Sequence, residues 1–210
     1  PAAGERQLWD FPDTVLGLRE VAAYEVSQQL GIPHVPPTVW REDLPLGPGS
    51  LQLWIDDASV ADVDVVESPD EGWLHVLDAE LTDGTCVQVV HRDLPDLRAL
   101  ALLDAVMNNA DRKAGHLLRD PEGRLWAVDH GVTFHAEPKL RTVLWGFAAR
   151  PIEQALLQRI SDDLLDIPAL RTALTDAELV ALRHRINDLH TSGRYPLPSE
   201  DWPAIPWPIF

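Results

Sequence analysis

Apolar side chains recur at helical spacing in four stretches of this chain and alternate or cluster as strands in four others. Between residues 14 and 30, Leu18, Val21, Ala22, Val26 and Leu30 fall near a 3.6-residue period, and Gly31 offers a stop. Pro33, Pro36 and Pro37 then force extended chain. Thr38–Trp40 and Ser50–Ile55 predict two strands around the Pro45–Gly49 turn. Residues 56–72 are acidic and poor in large apolar side chains, which predicts a loop or insertion.

The strongest helical signal covers residues 94–107, where Leu94, Leu97, Leu100, Ala101, Leu103, Ala105 and Val106 form one face. Leu117-Leu118 and Leu125–Val128 flank Asp120-Pro121-Glu122-Gly123, a hairpin pattern. Helices are expected over roughly 151–165 and 175–191. The second opens on Thr175-x-x-Glu178, a capping box, and carries Leu179, Leu182, Ile186 and Leu189 as its buried stripe. The segment from Pro196 holds prolines 196, 198, 203, 206 and 208 and reads as extended, packed through Trp202 and Trp207. A small sheet portion followed by a larger helical portion predicts an α+β protein.

The 210 residues are 45% apolar and 24% charged, which fits a folded domain with a real core. No apolar run reaches the length of a membrane span. The single cysteine, Cys86, excludes an internal disulfide framework and fits a reducing compartment. Pro1–Arg6 is polar, without the apolar run of a secretory leader, so the expected location is cytoplasmic. A net charge of −17 argues against nucleic acid and anionic bilayers as partners. It also makes a metal ion the natural companion of any bound nucleotide.

Chemistry concentrates in two stretches. The first runs from Leu103 through Asn108-Asn109-Ala110-Asp111-Arg112-Lys113 to His116 and Leu118. The second is Trp126-Ala127-Val128-Asp129-His130-Gly131, an apolar strand ending in a carboxylate. Phosphoryl transfer needs an aspartate to orient or deprotonate the attacking hydroxyl, and a second aspartate to help hold Mg²⁺ against the phosphates. Asp111 fits the first role and Asp129 the second. Arg112 or Lys113 offers charge to phosphate. Both aspartates also have a plain reading as turn residues, and His116 as a structural histidine. His91-Arg92-Asp93 resembles a protein-kinase triplet, but position 98 is Arg98 where that pattern needs Asn. It reads instead as a helix start with Asp93 near the N-cap.

Asn109-x-Asp111-Arg112-x-x-x-His116, followed by Val128-Asp129-His130-Gly131, resembles the core of type II phosphatidylinositol 4-kinases and their bacterial relatives. Leu8–Pro12, Arg19–Tyr24, Asn108–Lys113, Asp129–His135 and Leu140–Gly146 are more closely similar to an actinobacterial family of phosphatidylinositol 3-/4-kinase-like proteins. The resemblance covers residues 4 to about 150. It implies a two-lobe kinase fold, with residues 1–55 as a partial N-terminal lobe and 56–210 as the catalytic lobe. It implies ATP and Mg²⁺ or Mn²⁺ as cofactors, Asp111 as catalytic base, and His116 and Asp129 as metal ligands. Glu20 would partner an ATP-binding lysine, and Gln52, Leu53, Trp54 and Ile55 would border the adenine.

Two departures accompany the resemblance. The family's ATP lysine falls before Pro1, since Lys113 and Lys139 are the chain's lysines, so the chain is expected to be a shortened form. His116 stands where kinases usually carry Asn, and imidazole suits Mn²⁺ or Zn²⁺ better than Mg²⁺. The resulting expectation is a phosphotransferase acting on a hydroxyl of a protein or small molecule. The alternative is a pseudokinase that binds nucleotide and acts through protein partners.

Overall fold

The computed structural model describes residues 8, 10–11, 15–56, 58–60 and 62–210. Trp9, Pro12 and the first residues of the expected opening loop and helix lie outside the described residues. Helix α1 spans Leu16–Gln29 and buries Ala22, Ala23 and Val26; Leu30 closes it, and Gly31 turns the chain away at φ 62°. Strands β1 (Thr38–Arg41) and β2 (Gly49–Gln52) pair antiparallel, with Thr38 opposite Gln52. Gly17 allows α1 to lie against this hairpin: a Cβ there would meet Ser50 Oγ at 3.0 Å and the Trp40 ring at 3.2 Å.

Residues 56–72 are not the expected loop. They hold β3 (Ser59–Val60) and β4 (Val63–Val66), followed by β5 (Trp73–Glu80) and β6 (Cys86–Arg92). Strand β6 is central in a three-stranded antiparallel sheet of order β4-β6-β5. Val87, Val89 and Val90 on β6 are buried, whereas β3 and most of β4 are exposed. Backbone pairing to β6, rather than apolar content, makes β4 a strand, which is why composition misses it. His91 and Arg92 end β6, and α2 starts at Pro95 with Leu94 as N-cap. Asp93 therefore sits near the N-cap as expected, one residue before it, where it pairs with Arg98 and Arg150.

Helix α2 (Pro95–Met107) is buried over most of its length and is the axis of the core. Strands β7 (Leu117–Arg119) and β8 (Leu125–Ala127) form the expected hairpin, and β3 joins it through β7. The single helix expected over 151–165 is instead α3 (Gln154–Leu157) and a 3₁₀ turn at Asp162–Asp166, then α4 (Pro168–Ala173). Pro168 at the first position of α4 fixes this break in register. Helix α5 spans Asp176–Ser192 with the capping box in place.

The architecture is α+β. Ala22 and Val26 of α1, Leu100 and Leu103 of α2, and Leu182 and Ile186 of α5 belong to one continuous apolar cluster. Helix α1 thus shares its core with the C-terminal half. The segment after Pro196 packs as expected at Trp202, which lies over Lys139 and Arg141, but Trp207 is 83% exposed.

Arg19 joins α1 to α5. Fully buried, it donates to Glu178, whose other carboxylate oxygen accepts from Thr175 in the capping box, and to the Thr133 carbonyl. Arg19→Met leaves Glu178 without its cation in a dry setting, and is expected to cost about 3–5 kcal/mol in chemical denaturation. Arg171→Met, at an exposed pair with Asp166, is expected to cost less than about 1 kcal/mol.

Candidate functional site

Asn108 ends α2 in the left-handed conformation (φ 52°). Its side chain donates to the carbonyls of His135 (2.9 Å) and Glu137 (2.7 Å) and accepts from Lys139 N (2.9 Å). Asn109 bonds Asp104 at 3.0 Å and accepts from Asp111 N at 3.0 Å. The two asparagines therefore lock the turn that presents Asp111.

Arg112 turns inward. Its Nε and Nη2 clamp Asp104 of α2, each at 2.9 Å. Nη1 donates to the Val128 carbonyl at 2.8 Å, and Nη2 lies 2.7 Å from His130 Nε2. Both members of the ion pair are buried. The guanidinium is thus committed to bracing, which overturns the expected phosphate contact for Arg112: its donors already have partners inside the fold. Lys113 is a quarter exposed and forms an ion pair with Asp111 at 3.2 Å.

The hairpin brings the second stretch alongside. Val128 N donates to the His116 carbonyl at 3.1 Å, and His116 Nε2 lies 3.3 Å from Asp129 Oδ2. Asp129 has φ +61° and a carboxylate more than half exposed, so the strand end aims it outward. Burial, followed by the charge of Arg112, pushes the His116 imidazole below its usual range, and its Nδ1 is buried without a hydrogen-bond partner. His130 is wholly buried and driven further down by the same causes, so it is neutral.

Glu20 reaches this turn from α1. Its Oε1 accepts from His130 N at 2.7 Å, while Oε2 is buried without a hydrogen-bond partner. Gly131 permits the approach, because a Cβ there would meet Leu16 Cβ at 3.2 Å and Glu20 Oε1 at 3.6 Å. Burial first, and the Asp129 charge second, raise Glu20 to about 7. Glu20, Asp111, Lys113, His116 and Asp129 thus converge. No hydrogen bond or ion pair among the described residues links Gln52–Ile55 to them. Gln52 bonds Thr38 across the β1–β2 hairpin, and Leu53 and Trp54 are 54% and 82% exposed.

The chain is 44% identical over 227 aligned residues to Protein Rv2133c of Mycobacterium tuberculosis (strain ATCC 25618 / H37Rv). The match covers all of this chain and 81% of that protein. The chain belongs to the family of that mycobacterial protein. No family model matches it. No helix among the described residues is long and apolar enough to cross a membrane.

Sequence reasoning passed over Asp104, and placed His130 near the site without giving it a role. Asp104 did carry a signal, being a lone carboxylate inside the apolar run Leu100–Val106, where burial demands a partner.

Glu20 makes the centre sensitive to pH. Its folded value lies above the unfolded value of 4.5, so its contribution to stability is complete below that pH and is lost as pH rises through about 7. The loss amounts to about 3 kcal/mol. Glu20→Gln keeps an oxygen for His130 N but cannot ionise. Urea titrations at pH 4.5 and 8 are expected to show the variant equal to the parent at the lower pH and more stable at the higher.

Proposed function

We infer that this protein is an ATP- and metal-dependent phosphotransferase with a kinase-like, two-lobe arrangement, acting on a hydroxyl acceptor. One observation carries the reading: Asp111, His116 and Asp129, from a catalytic-type loop and a strand end, meet beside Glu20 of α1, with His116 Nε2 and Asp129 Oδ2 3.3 Å apart. Asp111 serves as the base that takes the acceptor hydroxyl proton. Lys113, paired with it, supplies positive charge at the mouth of the site.

The residues fit a divalent cation in a limited sense. His116 is held neutral by burial, the form in which an imidazole binds metal, and Asp129 offers an outward carboxylate. Glu20 and Asp129 place negative charge close together, which a metal would relieve. Among the described residues no group of three His, Cys, Asp or Glu side chains could hold an ion alone. Two protein donors leave the remaining positions to phosphate oxygens and water, the usual arrangement for a nucleotide-bound cation. Bound there, the ion would neutralise charge developing on the transferred phosphoryl group. The imidazole favours Mn²⁺ over Mg²⁺.

The pseudokinase reading draws on Arg112. With that guanidinium spent on Asp104, Lys113 is the cation left beside Asp111, and it is already paired. Calorimetric titration of ATP with Mn²⁺ and with Mg²⁺ separates the readings from an empty site. Metal-dependent binding that is lost in Asp129→Asn, with phosphate transfer abolished in Asp111→Ala, is the expected result. Nucleotide binding without transfer to any acceptor would support the pseudokinase. Turnover surviving both Asp111→Ala and Asp129→Ala would overturn the assignment of the site.

A further inference from the structure

A cavity of about 430 Å³ opens between the C-terminal part of α2, the last turns of α5 and the extended segment after Tyr195. Its walls are mostly apolar: Ala105, Leu140, Trp145, Leu189, Tyr195 and Leu197 contribute to them. None of Glu20, Asp111, His116 or Asp129 lines it. Its size falls within the ordinary range for a small-molecule site, and its apolar lining with a few polar groups fits one.

The polar groups in the wall are unevenly matched. Arg185 is half-buried, donating through Nε to the Val106 carbonyl (3.1 Å) and through Nη1 to the His135 carbonyl (3.2 Å). Its Nη2 has no hydrogen-bond partner, and no carboxylate lies within ion-pair distance of the guanidinium among the described residues. Burial lowers it to about 10, so it remains charged at neutral pH. Arg194, also in the wall, donates to the Ala149 carbonyl and has no carboxylate partner among the described residues. Asp188 lines the same cavity but pairs with neither arginine. The Glu178 charge acts on the Arg185 cation through space without forming an ion pair with it, so Nη2 is left with no acceptor in contact. With Arg185 and Arg194 against the single carboxylate of Asp188, the cavity wall carries a small positive excess on a chain of net charge −17.

We propose that this cavity binds a small organic anion with an apolar body and a single carboxylate, the body lying between α2 and α5 and the carboxylate turned toward Arg185. The carboxylate gives Arg185 Nη2 the acceptor that the fold does not, and the apolar body replaces water against Trp145 and Leu189. This site is independent of the phosphotransferase reading.

Isothermal titration of decanoate, with decanol as its neutral counterpart, tests the proposal. Decanoate is expected to bind with one site per chain and about tenfold or more tighter than decanol, the factor a charged hydrogen bond supplies. Arg185→Met is expected to erase that difference. Ser192→Trp, which fills the cavity from its rim and leaves Arg185 in place, is expected to abolish binding of both. Absence of decanoate binding, equal affinity for the two probes, or decanoate binding unaffected by Ser192→Trp would each overturn the proposal. Neither substitution touches the residues assigned to phosphoryl transfer, so its failure leaves that reading standing.

Discussion

The buried pair of Asp104 and Arg112 is the constraint on which the centre depends. One guanidinium ties α2 to the loop after it, to the Val128 carbonyl at the end of β8 and to His130 in the next turn. Two charges in a dry interior are tolerable only when each finds good partners. The geometry that satisfies Arg112 also fixes where Asp111 and Asp129, its neighbours in sequence and space, can stand. The clamp points inward, and the flanking carboxylates are left pointing outward.

Helix α1 supplies the second constraint. Arg19 and Glu20 are adjacent in sequence and engage the same turn: Arg19 through the Thr133 carbonyl and Glu20 through His130 N. Arg19 also anchors α5 through Glu178. A rotation of α1 would disturb the core, the cap of α5 and the Asp129 turn together. This coupling is what gives a glutamate near neutrality structural meaning, since Glu20 is held beside Asp129 by contacts it cannot leave cheaply.

The centre is short of positive charge and the α2–α5 cavity is short of negative charge. Asn108 connects the two regions physically. It lines the cavity, and its amide shares the His135 carbonyl with Arg185 while its backbone starts the turn to Asp111.

Local patterning determined a good part of this protein. The α2 stripe, the Thr175–Glu178 cap, the Gly31 stop and the Asp120–Gly123 hairpin turn depend on neighbours within a few residues, and all stand where the sequence places them. The polar loop with Asp111 and the strand-end Asp129 stood out too, because such groups are unusual beside apolar runs. Other features were decided by contacts far apart in sequence. Strand β4 exists because β6 offers it hydrogen bonds, not because its residues are apolar. The region 151–173 breaks into short turns where long-range packing and Pro168 override its helical period. Arg112 looked like a phosphate ligand from its neighbours, and became a brace because Asp104, eight residues earlier, was brought under it by the end of α2. Sequence periodicity fixes which face of an element is apolar; which charge meets which is settled only when the elements pack.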